Sequence, residues 1–172
     1  GYTAVTFNLA RVYNDNLDGT ANTVTVWGTS ANDTFQWNGQ SSVIANGAGG
    51  NDVLTAAIAS AAVTIYANSA QFVSIESFTG SSYNDTFTWD GVGTLAFDGG
   101  SANDTLHAMA TASTTFNFAQ TSLTNIETVA HNGAGNVTYI FGSTTSLPTI
   151  QGSAANDFLS FSAATAGVDR KS

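Results

Sequence analysis

A short block built on Asn-Asp returns five times in this chain, as GTSANDTF, GAGGNDVL, GSSYNDTF, GGSANDTL and GSAANDFL. Its aspartates are Asp33, Asp52, Asp85, Asp104 and Asp157. In every copy a Gly lies five residues before the Asp (Gly28, Gly47, Gly80, Gly99, Gly152) and a Leu or Phe lies two after it (Phe35, Leu54, Phe87, Leu106, Leu159). A polar turn led by glycine therefore runs straight into an apolar strand. Asp33 and Asp52 are 19 residues apart, as are Asp85 and Asp104. Self-similarity at about this period is the signature of a stacked repeat fold.

The residues after each block alternate with period two. Phe35 and Trp37 share one face and Thr34 and Gln36 the other; Phe87 and Trp89 repeat this against Thr86 and Thr88. That is the pattern of a half-buried strand. Asn38-Gly39 and Asp90-Gly91 follow, then a second strand ending in Asn46-Gly47 or Asp98-Gly99, pairs that mark turns because their backbones accept positive φ. One 19-residue unit thus reads strand, turn, strand, turn, which is one coil of a narrow solenoid. The spacing predicts an all-β, parallel β-solenoid of about nine short coils in a single domain spanning 1–172, a rod roughly 45 Å long.

A larger period overlies the coils. Asp33 to Asp85 and Asp52 to Asp104 are each 52 residues, and Ile75-Glu76 returns 51 residues later as Ile126-Glu127. Superrepeats of about three coils are therefore placed near 29–80, 81–132 and 133–172. The third is partly degraded, with Val137 where an Asp would fall, and Pro148 with the Ser-Thr run before it predicts a looser coil.

Charge narrows the partners. The chain has 172 residues, a net charge of −9 and no Lys or Arg between Arg11 and Arg170, with Lys171 the third cation. Nucleic acid binding needs cations to neutralise phosphate, so neither nucleic acid nor an anionic membrane is an expected partner. A divalent cation is the partner such a surface invites. There is no Cys, which removes disulfides and thiolate metal sites, and no apolar run is long enough for a membrane helix. The first residues, GYTAVTFNLA, lack the basic start of a signal peptide.

The block resembles the RTX, or haemolysin-type, calcium-binding repeat, whose nonapeptide is G-G-x-G-x-D-x-U-x. GAGGNDVLT keeps the first Gly, the Gly two before the Asp, the Asp and the large apolar residue. The resemblance implies a β-roll in which carbonyls of the Gly-rich turn and carboxylates of Asp33, Asp52, Asp85, Asp104 and Asp157 hold Ca²⁺ between coils, a ligand set that suits an ion taking about six to eight oxygens. It also implies secretion without a cleaved N-terminal signal, and an extracellular or cell-surface setting. Two family glycines are mostly replaced: the second by Thr29, Ala48, Ser81 and Ser153, the third by Ala31, Tyr83, Ala102 and Ala155. Where those glycines carry positive φ, each replacement costs about 1 kcal/mol or more.

Electrostatics leaves two readings of the stacked acids. Carboxylates on adjacent coils, about 5 Å apart, repel by roughly 3 kcal/mol at an effective dielectric near 20. For Asp33 over Asp52 and Asp85 over Asp104, either a cation sits between them or the side chains fold back onto turn amides, as Asp and Asn do in tight turns.

Other residues read more plainly. Trp37 and Trp89 share the inward parity of the Phe before them and belong to the core, while Tyr66, Tyr83 and Tyr139 are candidates for a polysaccharide-binding surface. His107 and His131 lack the spacing of a zinc site. Clustered Asp residues could serve a carboxylate-based polysaccharide-active enzyme. Without Lys, Arg or a catalytic motif across the repeats, however, the reading is non-enzymatic. Outward Thr pairs form partial ladders that Val53, His107 and Phe158 interrupt. The first strand, at Thr3 to Leu9, and the last, at Phe158 to Ser162, carry no capping charge, which points either to a slice of a longer protein or to head-to-tail self-association of neighbouring copies. The function expected is a secreted, calcium-binding structural repeat domain of a fibre, surface layer or adhesin stalk, with a carbohydrate- or surface-binding module as the alternative.

Overall fold

A computed structural model describes residues 3–12, 23–110, 112–131, 133–142 and 147–161. Arg170, Lys171 and the looser coil expected at 143–146 lie outside the described residues. Seventeen strands follow one another. They are β1 (Thr6–Asn8), β2 (Val24–Trp27), β3 (Thr34–Gln36), β4 (Val43–Asn46), β5 (Val53–Thr55), β6 (Thr64–Tyr66), β7 (Phe72–Val73), β8 (Ser77–Thr79) and β9 (Thr86–Trp89). The rest are β10 (Ala96–Asp98), β11 (Thr105–Ala108), β12 (Thr114–Asn117), β13 (Ser122–Thr124), β14 (Thr128–His131), β15 (Val137–Ile140), β16 (Thr149–Gln151) and β17 (Phe158–Ser160). One 3₁₀ turn, Leu9–Arg11, interrupts them.

The strands stack in parallel into a β-solenoid. Sheet I has the order β1-β3-β5-β8-β10-β13 and sheet II the order β6-β9-β11-β14-β16; β12-β15-β17 form sheet III and β2-β4-β7 sheet IV. Among the described residues sheet I, with six strands, counts about six coils rather than the nine expected. The reason lies in the loops. Thr34 pairs with Val53 and Ser77 with Ala96 at 19-residue steps, but Thr6 to Thr34, Val53 to Ser77 and Ala96 to Ser122 take 28, 24 and 26. The coils that start at β5 and β10 each hold three strands, where the 19-residue coils hold two. Six coils span about 24 Å between the first and last strand axes.

The 52-residue period also maps differently from expectation. Asp33 leads into β3 of sheet I, whereas Asp85 leads into β9 of sheet II. A shift of 52 residues therefore advances the chain by two coils and one further face, so the two Asp pairs occupy different corners.

Alternation of side chains builds the core. Phe7, Phe35, Leu54, Phe78, Phe97 and Leu123 align along the inner face of sheet I, and Ile65, Phe87, Leu106, Val129 and Ile150 along that of sheet II. Aromatic rings stack from coil to coil, Phe78 on Phe97 at 5.8 Å and Phe118 on Phe141 at 5.0 Å. Each such buried side chain stabilises the fold by about 1.5–3 kcal/mol. Trp37 and Trp89 are buried as expected, and each indole N–H donates to the carbonyl three residues on, Gln40 at 2.7 Å and Val92 at 2.9 Å. Gly39 and Gly91, at φ 98° and 84°, turn the chain so that those carbonyls face the rings.

On the outer face of sheet II, Thr64, Thr86, Thr105, Thr128 and Thr149 stand in register across all five strands. The interruptions expected at Val53 and Phe158 belong to other sheets, and His107 falls in the next column. Cross-strand Thr pairs of this kind contribute roughly 0.2–1 kcal/mol each.

Candidate functional site

Before β1, β3, β5, β6, β9 and β11 the leading residue has left the sheet, and its N–H needs an acceptor. The Asn-Asp blocks supply it. Val5 N–H donates to Asp33 Oδ1 (2.6 Å), Asp33 N–H to Asp52 Oδ1 (2.6 Å), and Asp52 N–H to Glu76 Oε2 (2.8 Å). The corner before sheet II repeats this: Val63 to Asp85 (2.8 Å), Asp85 to Asp104 (2.6 Å) and Asp104 to Glu127 (2.7 Å). Each corner is thus a four-rung spine in the order Val, Asp, Asp, Glu. In both pairs the Asp of the later coil reaches back to the N–H of the earlier one.

The preceding asparagine reaches the other way. Asn32 Oδ1 accepts the N–H of Asn51 (2.9 Å) and Asn84 Oδ1 that of Asn103 (3.1 Å). Asn-Asp therefore joins a coil to both neighbours through adjacent side chains. Ile75-Glu76 and Ile126-Glu127, noticed in the sequence only as a recurring pair, are the final rungs, where the Glu replaces the Asp of an Asn-Asp turn. Val5 and Val63 offer no polar signal, since they contribute only a backbone N–H.

The second carboxylate oxygen divides the sites. Asp33 Oδ2 accepts Thr29 N–H (2.5 Å) and Thr29 Oγ1–H (3.0 Å), and Asp85 Oδ2 accepts Ser81 N–H (2.5 Å) and Ser81 Oγ–H (2.8 Å). Asp52 Oδ2 and Asp104 Oδ2 are buried without a partner. The difference originates one residue before the block. Asn46 and Asp98 side chains accept the N–H of Ala48 (2.9 Å) and Gly100 (3.0 Å), turning away the amides that would have served Asp52 and Asp104. Ala48 and Ala102 hold φ of 68° and 85°, so the left-handed strain expected of the missing glycines is present at these two but not at Thr29 or Ser81.

Proton affinities follow the bonding. Burial pushes Asp33 up, but the Thr29 and Val5 amides and the Thr29 hydroxyl outweigh it and hold the carboxyl below its ordinary value. At Asp52 burial prevails over the Asp33 N–H, and the charges of Glu76 and Asp33 add to the rise. Burial also dominates at Asp104, where the Asp85 N–H opposes it only in part and Asp85, Glu127 and Asp98 add repulsion; its carboxyl is pushed up to about 6.

The fifth aspartate stands at a third corner. Asp157 Oδ1 accepts Val137 N–H (3.0 Å) and Oδ2 accepts Ser153 N–H (2.7 Å), while His131 Nδ1 lies 3.3 Å from Oδ1. Burial raises Asp157, and the Ser153 and Val137 amides with His131 more than reverse it. His131 ends β14 and is buried. Tyr139, expected on a binding surface, is instead 1% exposed, packed against Phe116 and Phe118, and burial with the Asp157 charge pushes its hydroxyl up to about 12. Tyr66 and Tyr83 are exposed, one on sheet II and the other in a turn, and do not form a row.

These donors do not fit the calcium ion that the resemblance implies. In both spines and at Asp157, every Oδ1 is engaged by an inter-coil N–H, and three of the five Oδ2 atoms are capped within their own turn. The two free oxygens face the lead glycines. A Cβ on Gly47 or Gly99 would clash with Asp52 Oδ2 or Asp104 Oδ2 and with the Ser74 or Asn125 carbonyl, so the glycine itself fills the space beside each oxygen. Among the described residues no three acidic or His side chains converge as a metal-ligand group. In comparisons with known proteins, no family model, curated protein or solved structure matches this chain. No helix among the described residues is long and apolar enough to cross a membrane.

Proposed function

We propose that this chain is a structural repeat module, a stiff β-solenoid segment of an extracellular or cell-surface assembly. One observation carries the reading: the residues most like a functional site, the stacked acids, are turned inward and joined to the backbone of neighbouring coils. Their chemistry is spent on holding coils together. Hydrogen bonds to charged acceptors contribute about 1.5–3 kcal/mol each. Repeated along two corners, they stiffen a stack whose core is already continuous from coil to coil.

Assembly proceeds head to tail. In support, β17 closes one end of sheet III with Phe158 61% and Leu159 49% exposed, the latter on the column that Phe116 and Tyr139 fill below it. Among the described residues no strand pairs with the outer edge of β17, and a free edge with apolar side chains is a template for another strand.

Light scattering over a concentration series tests the assembly, with growth expected in the intact chain and loss of growth expected in a Phe158→Asp, Leu159→Asp variant. A monodisperse monomer at all concentrations would remove the self-association reading. Hydrogen exchange tests the stiffness: uniform protection from β3 to β15 is expected, and protection confined to one segment would sink the rigid module.

A further inference from the structure

We infer that carboxylate–amide bonding has replaced calcium in these turns, so that the solenoid folds and stays folded without the ion. The departures from the family repeat carry the argument. Thr29, Ser81 and Ser153 stand where the repeat has its second glycine, and each caps the Oδ2 of its own aspartate through its N–H and its hydroxyl. Ala31, Tyr83 and Ala155 stand at the third glycine, and each donates its N–H to that hydroxyl at 3.0, 3.1 and 3.0 Å. The substitutions thus form a closed network rather than scattered losses. Around Asn32-Asp33 and Asn84-Asp85 five donors that would compete with an ion are built: two backbone amides and a hydroxyl on the carboxylate, one amide on the hydroxyl, and one amide on the asparagine; around Asp157 the first four recur.

The same bonding removes the need for a counter-ion. Among the described residues Arg11 is the sole Lys or Arg, so the stacked acids have no cationic side chain between them. At Asp33 the charge is met by the Val5 N–H of the neighbouring coil and the Thr29 N–H of its own turn, the arrangement that lowers the proton affinity of a carboxylate. Asp52 and Asp104 are the sharpest test, because their turns keep left-handed residues at both glycine positions, Ala48 with Gly50 and Gly100 with Ala102, and each leaves one oxygen free. Even there the lead glycine packs against the free oxygen, leaving no room for so much as a Cβ between them.

The experiment is calcium chloride titration of the full chain by calorimetry, with thermal melts followed by circular dichroism in excess chelator and in millimolar Ca²⁺. Equal melts are expected. An ion held a hundredfold above its dissociation constant would raise the melting temperature of a chain this long by roughly 5–10 °C. Calcium uptake with such a rise, abolished in an Asp52→Asn, Asp104→Asn variant that retains the wild-type circular dichroism, would overturn the inference. Heat of uptake with an unchanged melt assigns calcium to exposed acids such as Asp90 and upholds it. Neither result bears on assembly, which light scattering reads separately.

Discussion

Asp85 and Asp104 are consecutive rungs of one corner, 19 residues apart, yet their second oxygens meet opposite fates. Asp85 is saturated by Val63, Ser81 and its hydroxyl; Asp104 gives one oxygen to Asp85 and leaves the other bare. Asp33 and Asp52 repeat the contrast at the other corner. The difference teaches that the identity of an acid in a repeat does not decide its state. A single neighbour does: Asn46 or Asp98 diverts the amide that Thr29 or Ser81 keeps for its own aspartate.

The largest expected effect breaks what both kinds of turn share. Gly99→Ala would drive a Cβ into the Asn125 carbonyl and Asp104 Oδ2, and a loss of about 4 kcal/mol is expected in urea unfolding. Gly93→Ala, with open space around it but φ at 78°, should cost only about 1 kcal/mol.

Asparagine substitution separates the two rungs directly. Asp85→Asn sets an amide donor against Ser81 N–H or Val63 N–H, whichever way it flips, and about 3 kcal/mol should be lost. Asp104→Asn keeps an acceptor for Asp85 N–H and discharges a buried carboxyl, so its unfolding free energy at pH 7 should stay within about 1 kcal/mol of wild type. Equal losses in the two variants would erase the distinction.

Acidity sharpens it further. Asp104 binds its proton more tightly when folded, its carboxyl moving from 3.8 to about 6, so its contribution is complete below pH 3.8 and is lost as pH rises through about 6. Asp52 acts in the same direction. Asp33 and Asp157 act in the opposite one: their folded values lie below 3.8, and their stabilisation is lost as pH falls through those lower values. Thermal stability should therefore climb between pH 7 and pH 4, by up to about 3 kcal/mol for Asp104, and decline in stronger acid. Asp104→Asn should flatten the climb, and an unaltered slope would remove Asp104 as its source. The smallest effect is Ser81→Ala, which removes a hydroxyl but leaves the amide and should cost about 1 kcal/mol by the same unfolding assay.

Much of this corner chemistry can be read in the chain. The 19-residue spacing aligns Asp33 with Asp52 and Asp85 with Asp104, and the alternation after each block places Phe35, Trp37, Phe87 and Trp89 inside. Glu76 and Glu127 were visible as a repeat but not as rungs, because a glutamate outside an Asn-Asp turn has no local signature of its partner. Tyr139 was misplaced because a tyrosine at a strand's inward position looks the same in sequence as one at the surface. The coil count failed where coils of 24 to 28 residues replaced the 19-residue unit, since lengthening the connections by a few residues costs little.

By itself the sequence determined where the chain turns and which residues of the strands after the Asn-Asp blocks face inward, since both depend on contacts within about eight residues. The tertiary structure decided which backbone N–H each carboxylate takes, that the 52-residue repeat moves from one face of the solenoid to the next, and that the lead glycines abut carbonyls of another coil. Those depend on coil register, which the packing of aromatic side chains along the core sets over separations of 19 residues and more. A hydrogen bond between coils exists only once that packing has brought its donor and acceptor together.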